Sequence, residues 1–104
     1  MPVKTIDQTL EPVGDETITG LSVVQTLTTP GDALYAWLQA QDQDVRLRDS
    51  GSDPTASEGM LIVAGAAPIF YSGKLSAVKL IETAVGASVF VSYYKPATAA
   101  YGVV

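Results

Sequence analysis

Val45-Arg46-Leu47-Arg48-Asp49-Ser50-Gly51-Ser52-Asp53-Pro54 divides sharply into two halves. The first four residues alternate, with Val45 and Leu47 on one side of an extended chain and the two arginines on the other. The next six are turn formers: Asp and Ser bond back to their own backbone, and Gly and Pro punctuate the chain. A half-buried strand running into a turn is the repeating unit of an antiparallel β protein. The same grammar closes the stretch, where Val89-Phe90-Val91-Ser92-Tyr93-Tyr94 is rich in β-branched and aromatic residues.

Working outward, further strands are expected over residues 17–28, 33–41, 43–48, 59–63, 69–71, 75–81 and 87–95. Residues 33–41 (Ala33-Leu34-Tyr35-Ala36-Trp37-Leu38-Gln39-Ala40-Gln41) contain good helix formers. Turn signals on both sides, Thr29-Pro30-Gly31-Asp32 and Asp42-Gln43, favour a strand there. Gly20 permits a bend inside residues 17–28, and Gly86 closes a loop or single helical turn over 82–86. About eight short strands at intervals of roughly eight to twelve residues predict an all-β fold, an antiparallel β-sandwich or barrel. The expected division is an arm or edge segment over 1–16, a sandwich over 17–95 and a tail over 96–104.

Composition narrows the function classes. The 104 residues carry a net charge of −5, with no histidine and no cysteine. That length fits one domain, which buries roughly two-thirds of the surface its unfolded chain exposes. At 47% hydrophobic and 16% charged, the chain is too apolar for wholesale disorder. An acidic chain repels phosphate backbones, and Lys4, Arg46, Arg48, Lys74, Lys79 and Lys95 are scattered. Every acid except Glu82 lies at or before Glu58, a polarity read here as solvated loops. Cysteine ligands, disulfides and thiol nucleophiles are ruled out. The N-terminus lacks a signal-peptide core, and glycine and proline interrupt the most apolar run, residues 61–70, so a soluble chain made in the cytoplasm is expected.

Candidate chemistry is sparse. Asp42, Asp44, Asp49 and Asp53 could hold a hard cation through carboxylate oxygens, but their spacing matches no calcium loop, and turn formation accounts for them more simply. Arg46 and Arg48, at i, i+2, could grip an anionic group, or pair across to a neighbouring strand or subunit. Tyr35, Trp37, Phe70, Tyr71, Tyr93 and Tyr94 could build a sugar-stacking platform, although strand aromatics more often pack the core. Tyr93 and Tyr94 point opposite ways, so one of them should reach a surface. The serines have no histidine partner, and no nucleophile elbow, Walker loop or dinucleotide fingerprint is present. A non-enzyme is expected, with no cofactor.

One longer run adds a resemblance. Gln43-Asp44-Val45-Arg46-Leu47-Arg48-Asp49-Ser50-Gly51-Ser52-Asp53-Pro54-Thr55-Ala56-Ser57-Glu58-Gly59-Met60 resembles a segment of small virion accessory proteins of tailed bacteriophages and prophages. Tyr71-Ser72-Gly73-Lys74-Leu75-Ser76 is similar to that family's tyrosine-glycine turn, and Gly86 to Tyr94 to its closing strand. The likeness covers about residues 33–95; Leu47, Glu58 and Lys74 depart from it. It carries no catalytic residue.

The resemblance implies a jelly-roll-like sandwich acting as a capsid decoration, or cement, protein on a virion surface. Its implied partners are the major capsid protein and itself, as a homotrimer, with no nucleic acid and no membrane. Contact would run through the arm and tail, with Val3, Lys4, Ile6, Arg46, Arg48, Tyr94, Tyr101 and Val103 as partner-binding residues. The alternative is a glycan-binding module on a phage tail or particle surface, with a shallow groove lined by aromatics such as Trp37 and Tyr94.

Overall fold

The computed structural model describes residues 9–97. Eight strands form: β1 (Leu10–Ile18), β2 (Gln25–Thr26), β3 (Tyr35–Gln41), β4 (Val45–Arg48), β5 (Met60–Ile62), β6 (Ile69–Tyr71), β7 (Lys79–Glu82) and β8 (Ser88–Pro96). They make two antiparallel four-stranded sheets, ordered β1-β8-β3-β6 and β2-β7-β4-β5. The protein is a small all-β sandwich. A 3₁₀ turn at Leu75–Ala77 is the one helical element among the described residues, and no helix is long and apolar enough to cross a membrane.

The core follows from strand alternation. Ala36, Leu38 and Ala40 of β3 and Val89, Val91 and Tyr93 of β8 point inward from the first sheet. Val45, Leu47, Ile62 and Leu80 meet them from the second. Size is matched across strands: small Ala36 is the register partner of Tyr93, whose ring needs the space. The core contains no buried polar or charged residue except the Tyr93 hydroxyl, which donates to the Glu16 carboxylate. Glu16 also accepts from the Thr28 N–H at 2.8 Å, tying β1 to the loop before β3.

Residues 33–41 are a strand despite their helix propensity. β3 is flanked by β8 and β6, and burial of alternate residues on the inner face outweighs tenths of a kcal/mol of intrinsic preference per residue. Two expected strands are corrected. Residues 17–28 do not run straight: β1 ends at Ile18, Gly20 turns at φ +68°, and only the two residues of β2 rejoin a sheet. Leu21 and Leu27, within the stretch expected as one strand, instead fill the core from the connecting loops. Likewise residues 75–81 split into the 3₁₀ turn and β7, because Leu75 and Val78 both face the core, a spacing that suits a turn and not an alternating strand. Of residues 82–86, Glu82 ends β7 and 83–86 are loop, closed by Glu82 Oε1 accepting from the Gly86 N–H at 3.2 Å.

Residues 10–16, expected as arm or edge segment, belong to β1, an edge strand that runs on to Ile18. A bulge between Pro12 and Gly14, the missing N–H of Pro12, and the charges of Glu11 and Asp15 protect that edge against further strand pairing.

Candidate functional site

The two outer faces of the sandwich differ in kind. On the second sheet, β4 and β7 present Arg46, Arg48 and Lys79, with Arg48 and Lys79 in register. All three cations are spent on the chain's own loop between β4 and β5. Arg46 Nη1 donates to Gly59 O at 3.0 Å, and its Nε reaches Ala56 O at 3.4 Å. Arg48 Nη1 lies 3.4 Å from Asp53 O and 3.9 Å from a Glu58 carboxylate oxygen. Lys79 Nζ pairs with Asp53 at 2.9 Å. Pro54 is fully buried beneath the loop, and Thr55 and Glu58 close a small bridge within it. Gly59, at φ +126°, lets the chain re-enter β5 within 3.1 Å of the Leu47 carbonyl, measured from where a Cβ would sit.

The four aspartates of residues 42–53 do not converge. Asp44 accepts from the Ala64 N–H at 2.8 Å, Asp49 from the Tyr71 hydroxyl at 2.8 Å, and Asp53 holds Lys79. These three serve loop contacts, and Asp42 sits in the turn between β3 and β4 at φ +73°. Among the described residues no cluster of three acids gathers in metal-binding geometry.

Among the described residues, nothing covers the first sheet's outer face. β3 turns Tyr35, Trp37 and Gln39 outward, β8 turns Phe90, Ser92 and Tyr94, and β6 adds Phe70. Register sets them in rows: Tyr35 beside Tyr94, Trp37 between Phe70 and Ser92, and Gln39 beside Phe90. The Phe70 ring stacks on Tyr35 at 5.6 Å between centroids and tilts against Trp37 at 4.9 Å. Trp37, Phe70 and Phe90 remain 39%, 42% and 37% exposed, large values for rings of this size.

Within this face lies an open depression of about 420 Å³ lined by Trp37, Gln39, Pro68, Phe90, Ser92 and Tyr94. Gln39 Nε2 donates to Ala66 O at 2.9 Å, which orients its amide.

The sequence candidates therefore separate. Arg46 and Arg48 sit on the clamped face, and Tyr94 on the bare one, while its neighbour Tyr93 is buried. Val3, Lys4, Ile6, Tyr101 and Val103 lie outside the described residues. Among the described aromatics only Tyr93 belongs to the core, and Tyr71 packs partly against that core; Tyr35, Trp37, Phe70, Phe90 and Tyr94 gather on one surface, against the expectation that most would be internal. Phe90, Ser92, Gln39 and Pro68 were not singled out from the sequence. The alternation of β8 carries the signal, since Phe90, Ser92 and Tyr94 are i, i+2, i+4.

Two shifted tyrosines mark where the loops are tied. Burial and the Asp49 carboxylate that accepts its proton push the Tyr71 hydroxyl up to about 12. Burial and Glu16 raise Tyr93 in the same way. Both act as donors holding the fold together, and neither faces the depression.

No family model, curated protein or solved structure matches the chain.

Proposed function

We propose that the protein is a capsid decoration (cement) protein of a tailed-phage-type particle, binding the major capsid protein and adding interface area between shell subunits. The observation that carries this reading is where the chain ends leave the sandwich. Leu10 pairs with Pro96, and the Ala97 N–H donates to Thr9 O at 2.9 Å, so the chain enters and leaves the described sandwich at neighbouring points of one corner. Two anchors rooted together can engage one surface at once, and the second contact then forms at high effective concentration.

The body fits the task. The sheets enclose an apolar core, and the long loop is clamped, so the subunit would transmit load without deforming. The strand order supports reading the sandwich as a jelly roll. Strands β1 and β8, β2 and β7, β3 and β6, and β4 and β5 are each paired, as when one long eight-strand hairpin is rolled up. Assembly as a homotrimer on the shell, and residence on the virion surface, belong to the same proposal.

The test is to add the full chain to particles that lack it and locate it by cryo-electron microscopy. Saturable occupancy, with density for both terminal segments against the shell, is expected. Particles that stay bare at micromolar protein would overturn the assignment.

A second reading, a glycan-binding module on a tail or particle surface, is favoured by one observation: Trp37 and Tyr94 line the same open depression. A glycan array discriminates, because a shell-binding block without lectin activity gives no hit that Trp37→Ala removes.

A further inference from the structure

A dent in a pleated sheet requires a small residue among large ones. Ser92 is that residue: Phe90 and Tyr94 rise on either side of it along β8, and Trp37 stands beside it on β3. On its other side the register partner is Asp15 of β1, which is exposed. The row across the sheet thus reads carboxylate, hydroxyl, indole, phenyl ring. From these positions we infer that the depression over Ser92 binds a neutral hexopyranoside, stacked on Trp37 and hydrogen-bonded by Ser92, Gln39 and Asp15. The inference rests on the glycan-binding reading and specifies its ligand.

Three features select this occupant. First, the volume of about 420 Å³ suits a ligand of one or two rings. A protein partner of ordinary affinity needs about 800 Å² of matched surface per side, far beyond one dent. Second, the lining alternates apolar planes with hydrogen-bonding groups. A pyranose is built the same way, with C–H groups on one face to meet the electron-rich face of an indole and hydroxyls around the rim. Because the Gln39 amide nitrogen is held by Ala66, its carbonyl oxygen is left as the acceptor for a sugar hydroxyl. Third, the charge pattern excludes acidic sugars. Among the described residues the lining contains no lysine or arginine, Asp15 adds a negative charge at its border, and the chain carries −5 overall. A sialic or uronic acid carboxylate would be repelled, with no cation among those lining residues to pair it.

Trp37 is the single tryptophan of the chain, so indole fluorescence reports this site alone. The full-length protein is titrated with lactose, cellobiose and 3′-sialyllactose. A saturable change with one or both neutral sugars is expected, at a dissociation constant on the order of 1 mM for so open a site. 3′-Sialyllactose should bind at least about tenfold more weakly than lactose. Ser92→Phe fills the dent from the outer face without touching the core, and should abolish the response while leaving the thermal midpoint unchanged. Asp15→Asn should weaken neutral-sugar binding while narrowing the gap to the acidic sugar.

Preference for the acidic sugar overturns the inference and leaves the glycan-binding reading standing. Silence from all three sugars, together with a blank glycan array, overturns both. If Ser92→Phe instead changes the oligomeric state seen by sedimentation, the face belongs to a second copy of the chain and the inference fails.

Discussion

Single side chains decide how the loops are held. A Cβ built on Gly73 would lie 2.6 Å from the Tyr71 hydroxyl oxygen and 2.8 Å from its ring carbon. The ring cannot give way without leaving Asp49, since the hydroxyl donates to that carboxylate. Gly73→Ala should therefore lower stability by about 1–3 kcal/mol in urea unfolding, and should expose Tyr71 in near-ultraviolet spectra. The tyrosines also set an alkaline limit. Folding holds the Tyr71 proton up to about 12, above the 10.0 of the free side chain. Tyr93 is shifted in the same direction. Above the unfolded value the denatured chain loses protons that the native state retains, so the stabilisation is full below about pH 10 and is lost as pH rises toward 12. The urea midpoint should be insensitive to these groups near neutrality and fall above about pH 10, and Tyr71→Phe should make that fall shallower.

At the scale of elements, the loop between β4 and β5 is a strap, and its three cations are not equivalent. Lys79 and Asp53 have side chains 30% and 66% exposed, so water screens their pairing, and Lys79→Met should cost less than about 1 kcal/mol. Arg46 is half-buried and supplies charge-assisted bonds to the Gly59 and Ala56 carbonyls. Its loss leaves those carbonyls short of a donor, and Arg46→Ala should cost about 1.5–3 kcal/mol. Amide exchange over residues 50–58 should quicken in the arginine variant and change little in the lysine variant. Equal effects would mean that buried Pro54 alone pins the strap.

For the whole molecule, the proposed particle contact and the proposed sugar site can be tested separately, because one is assigned to the corner where Thr9 meets Ala97 and the other to the outer face of the first sheet. Deleting residues 98–104 should reduce occupancy on particles by at least about tenfold, since one anchor then works without the other. Ser92→Phe, on the outer face at the middle of β8, should leave occupancy intact. Core damage reads differently. Leu38→Ala, at a fully buried site in the sheet centre, should cost about 2–5 kcal/mol by calorimetry or urea titration. It should impair particle binding only when the subunit unfolds. A truncated chain that binds as well as the full one would remove the tail from the proposed contact.

Much of the fold was legible before any coordinates, because strand periodicity is a local property: β3, β4, β5, β6 and β8 lie where alternation and turn residues put them. Local pattern failed at residues 17–28 and 75–81. There Leu21, Leu27, Leu75 and Val78 reach the core from loops and a 3₁₀ turn, and only the three-dimensional course of the chain shows that they need not share a strand. The candidate site was half legible. Trp37 and Tyr94 stood out as aromatics, yet their meeting depends on β3 lying beside β8, two strands far apart in sequence. Composition and alternation determined an all-β protein with an apolar interior. Which outer face is clamped and which is bare was decided by long-range register, because a side chain's neighbours across a sheet are set by pairing that no single strand encodes.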